Sequence, residues 1–255
     1  MKTDSTTSAS TSIHYEIHGT GVPLFLGFPI MASHADIFGS EGAAVLNGYL
    51  ERLTDRYCVL LADYPSIGKS PSIPAAEFSV ERVCTDLIEV ADAAGFDRFA
   101  YWGYSWGGAV GLQLATRTDR LSALVCGGWS PLGGQYADLL NGARLQVSDP
   151  PTHAMAVLRD PEQYAQWITF YESLEGWSEE AVAGISCPRM VFSGSHGDTD
   201  VGEIDVPIAS TIRSRRAELE ASGWHVREIA GRDFSVCLDP AAVVPIVREF
   251  LDSVI

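Results

Sequence analysis

The stretch AYWGYSWGGAV holds the groups of this chain best placed to do chemistry. Gly103-Tyr104-Ser105-Trp106-Gly107 reads G-x-S-x-G, and it falls between an apolar run and a helical run. A serine on a sharp strand-to-helix turn has its hydroxyl in the open and its neighbours crowded. That explains a residue without a side chain at both Gly103 and Gly107. A helix starting beneath Ser105 favours the anion formed when a hydroxyl attacks a carbonyl. The backbone N–H of Trp106 would point to where the oxyanion forms. The chemistry implied is nucleophilic attack on a small carbonyl compound.

A nucleophilic serine needs a base, and a base needs an orienting acid. The run RMVFSGSHGDTD carries two carboxylates, Asp198 and Asp200, that could play the acid. The last stretch of the chain, from Val226 to Ile255, contains no histidine. Gly231-Arg232-Asp233-Phe234-Ser235 puts a carboxylate, Asp233, in the loop after the last strand. Among the six histidines, His14 and His18 belong to an edge hairpin, and His153 and His225 lie in segments away from the serine. His34 borders the mouth and could face substrate. His196, two residues before Asp198, is the best spare imidazole. A carboxylate with a pKa near ~4 is a far weaker base toward serine than an imidazole near ~6.5. Asp233 beside Asp198 could share a proton and act as an acid/base couple, or Arg232 could neutralise the pair as an inert salt bridge.

These residues need a scaffold, and the order of elements supplies one. PLFLGF, YCVLLADY, RFAYWGY, LSALVCGGW, PRMVFSGS and HVREIAG read as strands, separated by helical patterns. Apolar strands alternating with helices imply an α/β fold with a mostly parallel sheet covered on both faces. SIHYEIHGTG ahead of them alternates like an antiparallel edge hairpin. From about Ser130 to Gly184 no strand pattern occurs, and Tyr136, Tyr164, Trp167, Phe170, Tyr171 and Trp177 mark a helical insertion. The expected domains are a loose tail over residues 1–11, a core over 12–130 and 185–255, and a cap or lid over 131–184. Trp129, Tyr104 and His34 are the residues expected to line a substrate pocket.

The 255 residues are 46% apolar and 20% charged, enough for one sizeable core. A formal charge of −16 argues against a nucleic-acid or anionic-membrane partner. The five cysteines are scattered, with no CxxC spacing, which argues for a reducing compartment and against a zinc site. With no apolar leader or long apolar run, the expectation is a cytoplasmic protein acting on a small molecule, a homodimer being compatible with it. The GKS after Ile67 imitates a phosphate-binding loop, but the first glycine of that motif would fall on Asp63.

From Ile13 onward the chain resembles the α/β-hydrolase superfamily. The elbow carries the resemblance, together with LGFP, where Leu26 stands in place of the family's histidine while Gly27, Phe28 and Pro29 remain. DYPSIGKS is similar to the family's D-x-x-G-x-G-x-S turn, with Ser66 where glycine is usual. The resemblance implies a second oxyanion donor at the Phe28 N–H, an acid at Asp198 and no cofactor or metal. It also sharpens the oddity, since the family histidine is absent or replaced by Asp233. Three functions stay open: a serine hydrolase of esters, lactones or thioesters with a degenerate triad; a lyase, cyclase or isomerase using Asp233 and Asp198; and a binder without catalysis.

Overall fold

A computed structural model describes residues 2–7 and 12–255, with side chains from residue 13 onward. An eight-stranded sheet forms its centre, in the order β1-β2-β4-β3-β5-β6-β7-β10. The strands are β1 (Lys2–Thr7), β2 (Ser12–His18), β3 (Val22–Leu26), β4 (Tyr57–Ala62), β5 (Phe99–Tyr104), β6 (Leu121–Gly127), β7 (Arg189–His196) and β10 (Trp224–Asp233). A separate two-stranded ribbon pairs β8 (Thr199–Val201) with β9 (Ile204–Val206). Strands from β4 to β10 across the sheet run parallel, while β1 and β2 are antiparallel at one edge.

Two details differ from the sequence expectation. Lys2–Thr7, placed in a loose tail, pairs along its whole length with β2; three threonines in six residues suit an edge strand. The rest of that tail, residue 1 and residues 8–11, lies outside the described residues. The edge hairpin is also not a hairpin. Gly19 and Gly21 turn the chain at positive φ, but β2 and β3 then flank β4 on opposite sides rather than pairing with each other. The five-pair parallel ladder from Val22–Tyr57 to Leu26–Leu61 takes the edge of β3 that a hairpin would have given to β2, and β5 takes the other.

Helices cover both faces. On one lie α2 (Val80–Ala93) and α3 (Trp106–Ala115), packed on the inward side chains of Phe25, Phe99 and Tyr101. On the other lie α1 (His34–Leu53), broken at Gly39, and α9 (Pro240–Val254), packed on Trp102, Tyr104 and Phe192. This division follows the two-residue alternation of β5, whose even-numbered and odd-numbered side chains face opposite layers. Every residue of α3 is buried, as expected of a helix roofed by further structure.

The roof comes from the chain between β6 and β7. It forms α4 (Tyr136–Gln146), α5 (Thr152–Val157) and α6 (Ala165–Glu172), linked by short 3₁₀ turns. Arg159 in this segment reaches the carbonyl oxygens of Gly68 and Ser70, and Leu158 bridges Ile67. After β9 come two short helices, α7 (Ile208–Ser214) and α8 (Arg216–Ala221), with Arg215 between them. No helix among the described residues is long and apolar enough to cross a membrane.

Candidate active site

Ser105 stands between β5 and α3 with φ 55 and ψ −124, a conformation that residues bearing a Cβ rarely adopt. Sheet bonds hold it there: its N–H donates to Gly127 at 2.8 Å, and its carbonyl accepts from Gly108 and Ala109 at 2.9 and 3.1 Å. The flanking glycines are obligatory. A Cβ at Gly103 would lie 2.2 Å from the Gly107 oxygen, and one at Gly107 would lie 2.0 Å from the Phe28 oxygen. Ser105 is half-buried, and among the described residues its hydroxyl makes no hydrogen bond.

The two candidate oxyanion donors are in different states. The Trp106 N–H heads α3, where the helix itself supplies no acceptor. The Phe28 N–H already donates to the Tyr64 hydroxyl at 3.2 Å. Tyr64 is 2% exposed and lies 3.1 Å, oxygen to oxygen, from the buried Tyr101. Tyr101 in turn donates to the Gly107 carbonyl at 3.2 Å. Burial pushes the Tyr64 phenol up to about 12 and that of Tyr101 well above its ordinary value, so both keep their protons. Neither tyrosine was expected in the site. Tyr101 was traceable, since it lies two residues before Gly103 on the face toward α3.

Above these phenols lies an aromatic cluster. The Trp106 indole contacts Phe28, Tyr64, Phe78, Trp167 and Phe170 with ring centroids 4.9–5.8 Å apart. Trp167 and Phe170 come from α6, so the inserted helices close directly over the elbow.

The residues expected to line a pocket are placed otherwise. Tyr104 points to the α9 side, where it donates to the Phe234 carbonyl at 2.8 Å and packs on Phe192. The alternation of β5 requires this, because Tyr104 shares a face with Trp102. Trp129 is 1% exposed and packs against Tyr136 of α4. His34 is 3% exposed, its ring 4.8 Å from that of Phe38, and its Nδ1 has no partner. Burial lowers the His34 pKa, with the Pro29 carbonyl opposing the shift.

Asp198 and Asp233 are each held by a serine nearby. Asp198 is exposed, and its two oxygens accept from the Ser210 N–H, at 2.9 Å, and from the Ser210 hydroxyl. Asp233 is exposed and accepts from the Ser235 hydroxyl at 2.6 Å and N–H at 2.9 Å, which holds its carboxyl below the usual range. Arg232 bridges neither of them; it pairs with Asp239 at 3.0 Å. His196 is exposed at the end of β7, in register with Asp233 across the β7–β10 ladder. β5 and β7 are separated by one strand, so His196 and Ser105 belong to strands about 10 Å apart.

Comparison with known proteins agrees with the fold. A family model described as the α/β hydrolase fold matches residues 41–149. Among curated proteins, the chain is 35% identical over 114 residues to "Putative carbamate hydrolase RutD" of Stutzerimonas stutzeri, covering 44% of this chain and 41% of the relative. It is 34% identical over 128 residues to the protein of that name in Caulobacter segnis, covering 49% and 46%. The matched region thus spans less than half the length of these relatives. Among solved structures, a thermophilic esterase from Thermogutta terrifontis superposes with a TM-score of 0.72 at 18% identity, covering 100% of this chain and 99% of the other. The enol-lactonase from Burkholderia xenovorans LB400 gives 0.68 at 20% identity, covering 98% and 100%. From the sheet order and these matches together, the chain has the α/β-hydrolase fold.

Proposed function

We propose that the chain is an enzyme acting on a small carbonyl substrate, an ester, lactone or thioester, with Ser105 as nucleophile and a degenerate triad. One observation supports this above the others: the backbone holds the half-buried Ser105 at φ 55 with its hydroxyl unpartnered among the described residues. Such a conformation costs on the order of 1–2 kcal/mol, which a purely structural serine has no reason to retain. Carbamates offer the same kind of carbonyl, and the relatives' name makes them a natural member of a substrate panel. In the reaction the Ser105 oxygen adds to the carbonyl carbon and the Trp106 N–H supports the oxyanion. The intermediate collapses to an acyl-Ser105 ester, the leaving alkoxide or thiolate takes up a proton, and water then hydrolyses the ester to free the acid and Ser105. The proton of Ser105 must leave to His196, to Asp233 or to water, and turnover without a fixed imidazole is slow. Loss of a triad base costs on the order of 10⁶ in rate, while binding and oxyanion support retain roughly 10³ to 10⁴ over water.

A purely binding role is the alternative, and the exposed, serine-bound state of Asp198 and Asp233 favours it over a lyase, cyclase or isomerase that would use the two as a couple. Intact-mass spectrometry after a fluorophosphonate probe separates the two. Labelling of the wild type and not of Ser105→Ala supports a nucleophilic serine. Absence of labelling at high probe concentration overturns it and leaves binding or proton-transfer chemistry.

A further inference from the structure

The oxyanion loop is already occupied by one of the protein's own groups. Tyr101 donates its one hydroxyl proton to the Gly107 carbonyl. In the contact between the two phenols, Tyr64 must therefore be the donor and Tyr101 the acceptor. That leaves a lone pair of Tyr64 for the Phe28 N–H. The chain Phe28 N–H to Tyr64 to Tyr101 to Gly107 thus runs in one direction and leaves no proton over. Gly27 makes room for it, since a Cβ there would lie 2.2 Å from the Tyr101 hydroxyl. The Tyr64 ring is fixed edge-on between Phe28, at 6.3 Å, and Trp106, at 4.9 Å.

We propose that Tyr64 is a built-in occupant of the oxyanion hole: its phenol oxygen holds the Phe28 N–H in the place of a substrate oxygen, leaving Trp106 as the single ready donor. This rests on the serine reading given above. A substrate recruits the second donor only by displacing the phenol oxygen, and an oxygen gaining negative charge is the stronger acceptor. The exchange therefore favours the tetrahedral intermediate over the bound ground state. Displacement also requires the Trp106 stack to yield. Trp167 and Phe170 of α6 press on that stack, so the inserted helices act on the hole through Trp106.

Tyr64→Phe removes the acceptor and keeps the ring. Tyr101→Phe removes an equally buried hydroxyl but leaves the Tyr64 oxygen on Phe28, so it controls for general loosening. Two readouts are needed: the Phe28 amide proton shift in ¹⁵N-phenylalanine-labelled protein, and the rate of fluorophosphonate labelling at Ser105. The expected result for Tyr64→Phe is an upfield Phe28 amide and labelling about ten-fold faster or more, as a released oxyanion donor is worth roughly 10²–10³. Tyr101→Phe should show neither change. An unchanged Phe28 amide, an unchanged labelling rate with a shifted amide, or equal acceleration in both variants overturns the proposal. If no protein labels while the Phe28 amide still shifts in Tyr64→Phe alone, the nucleophilic serine is refuted and the Tyr64 contact is upheld. Should Tyr64→Phe not fold, hydrogen exchange in the wild type decides: a protected Phe28 amide supports the contact, and one exchanging as fast as an open loop refutes it.

Discussion

Asp233 at the end of β10 is the register partner of His196 at the end of β7. The two side chains that could serve as bases therefore share one rung of the sheet, yet neither has a bond to the other among the described residues. Asp233→His would place an imidazole on that rung, where the fold expects one. The variant should label with fluorophosphonate on the order of 10²-fold faster than wild type, the lower end of what a positioned base contributes. A rate equal to wild type would mean that this position does not reach Ser105.

Ser105→Gly should stabilise the protein. Glycine adopts φ 55 freely, and no hydrogen bond of the serine hydroxyl is lost. Urea unfolding should show a gain of about 1 kcal/mol, whereas Ser105→Ala should show none. Equal stability in both would mean the elbow stores no strain.

Stability should fall on mild acidification because of His34. Burial sets its folded pKa below the unfolded value, so the unfolded chain takes up the proton first. The contribution of the neutral ring is complete above the unfolded value, near ~6.5, and is lost as pH falls from there toward the folded pKa. Asp233 has the same sign in a lower window, lost as pH falls from about 4. Denaturation midpoints against pH should therefore decline first over the His34 window, and His34→Leu should abolish that decline while keeping the fall at lower pH, which Asp233 shares with Asp36, Asp55 and Glu218.

Trp167→Ala should test the tie between α6 and the elbow. Trp167 meets Trp106 at 5.0 Å and Phe78 at 5.5 Å, and its loss should cost about 2 kcal/mol. Faster labelling of Ser105 should accompany that loss, since Trp106 then restrains Tyr64 less. Slower labelling would show that the stack orders the site rather than closing it.

The sequence made the parallel strands and the elbow legible because both rest on local patterns. Apolar runs of strand length fix the first, and steric exclusion of side chains at Gly103 and Gly107 fixes the second. The orientation of Tyr104 was also available, by counting from Trp102. The bond from Phe28 to Tyr64 was not, because it joins residues on two different strand ends, and nothing local to Asp63-Tyr64-Pro65 sets the direction of a phenol. The capture of Asp198 by Ser210 was hidden in the same way, with a short β-ribbon and a helix start between them.

Tyr104 and Tyr49 each donate to a carbonyl of the segment after Asp233, Tyr104 to Phe234 and Tyr49 to Cys237 at 2.7 Å. Those phenols anchor the backbone of this corner whatever side chain occupies position 233. Aspartate and histidine codons differ only in their first base. A lineage carrying this scaffold can therefore exchange one chemistry for another by a single point mutation, without rebuilding the loop on which the new side chain must stand.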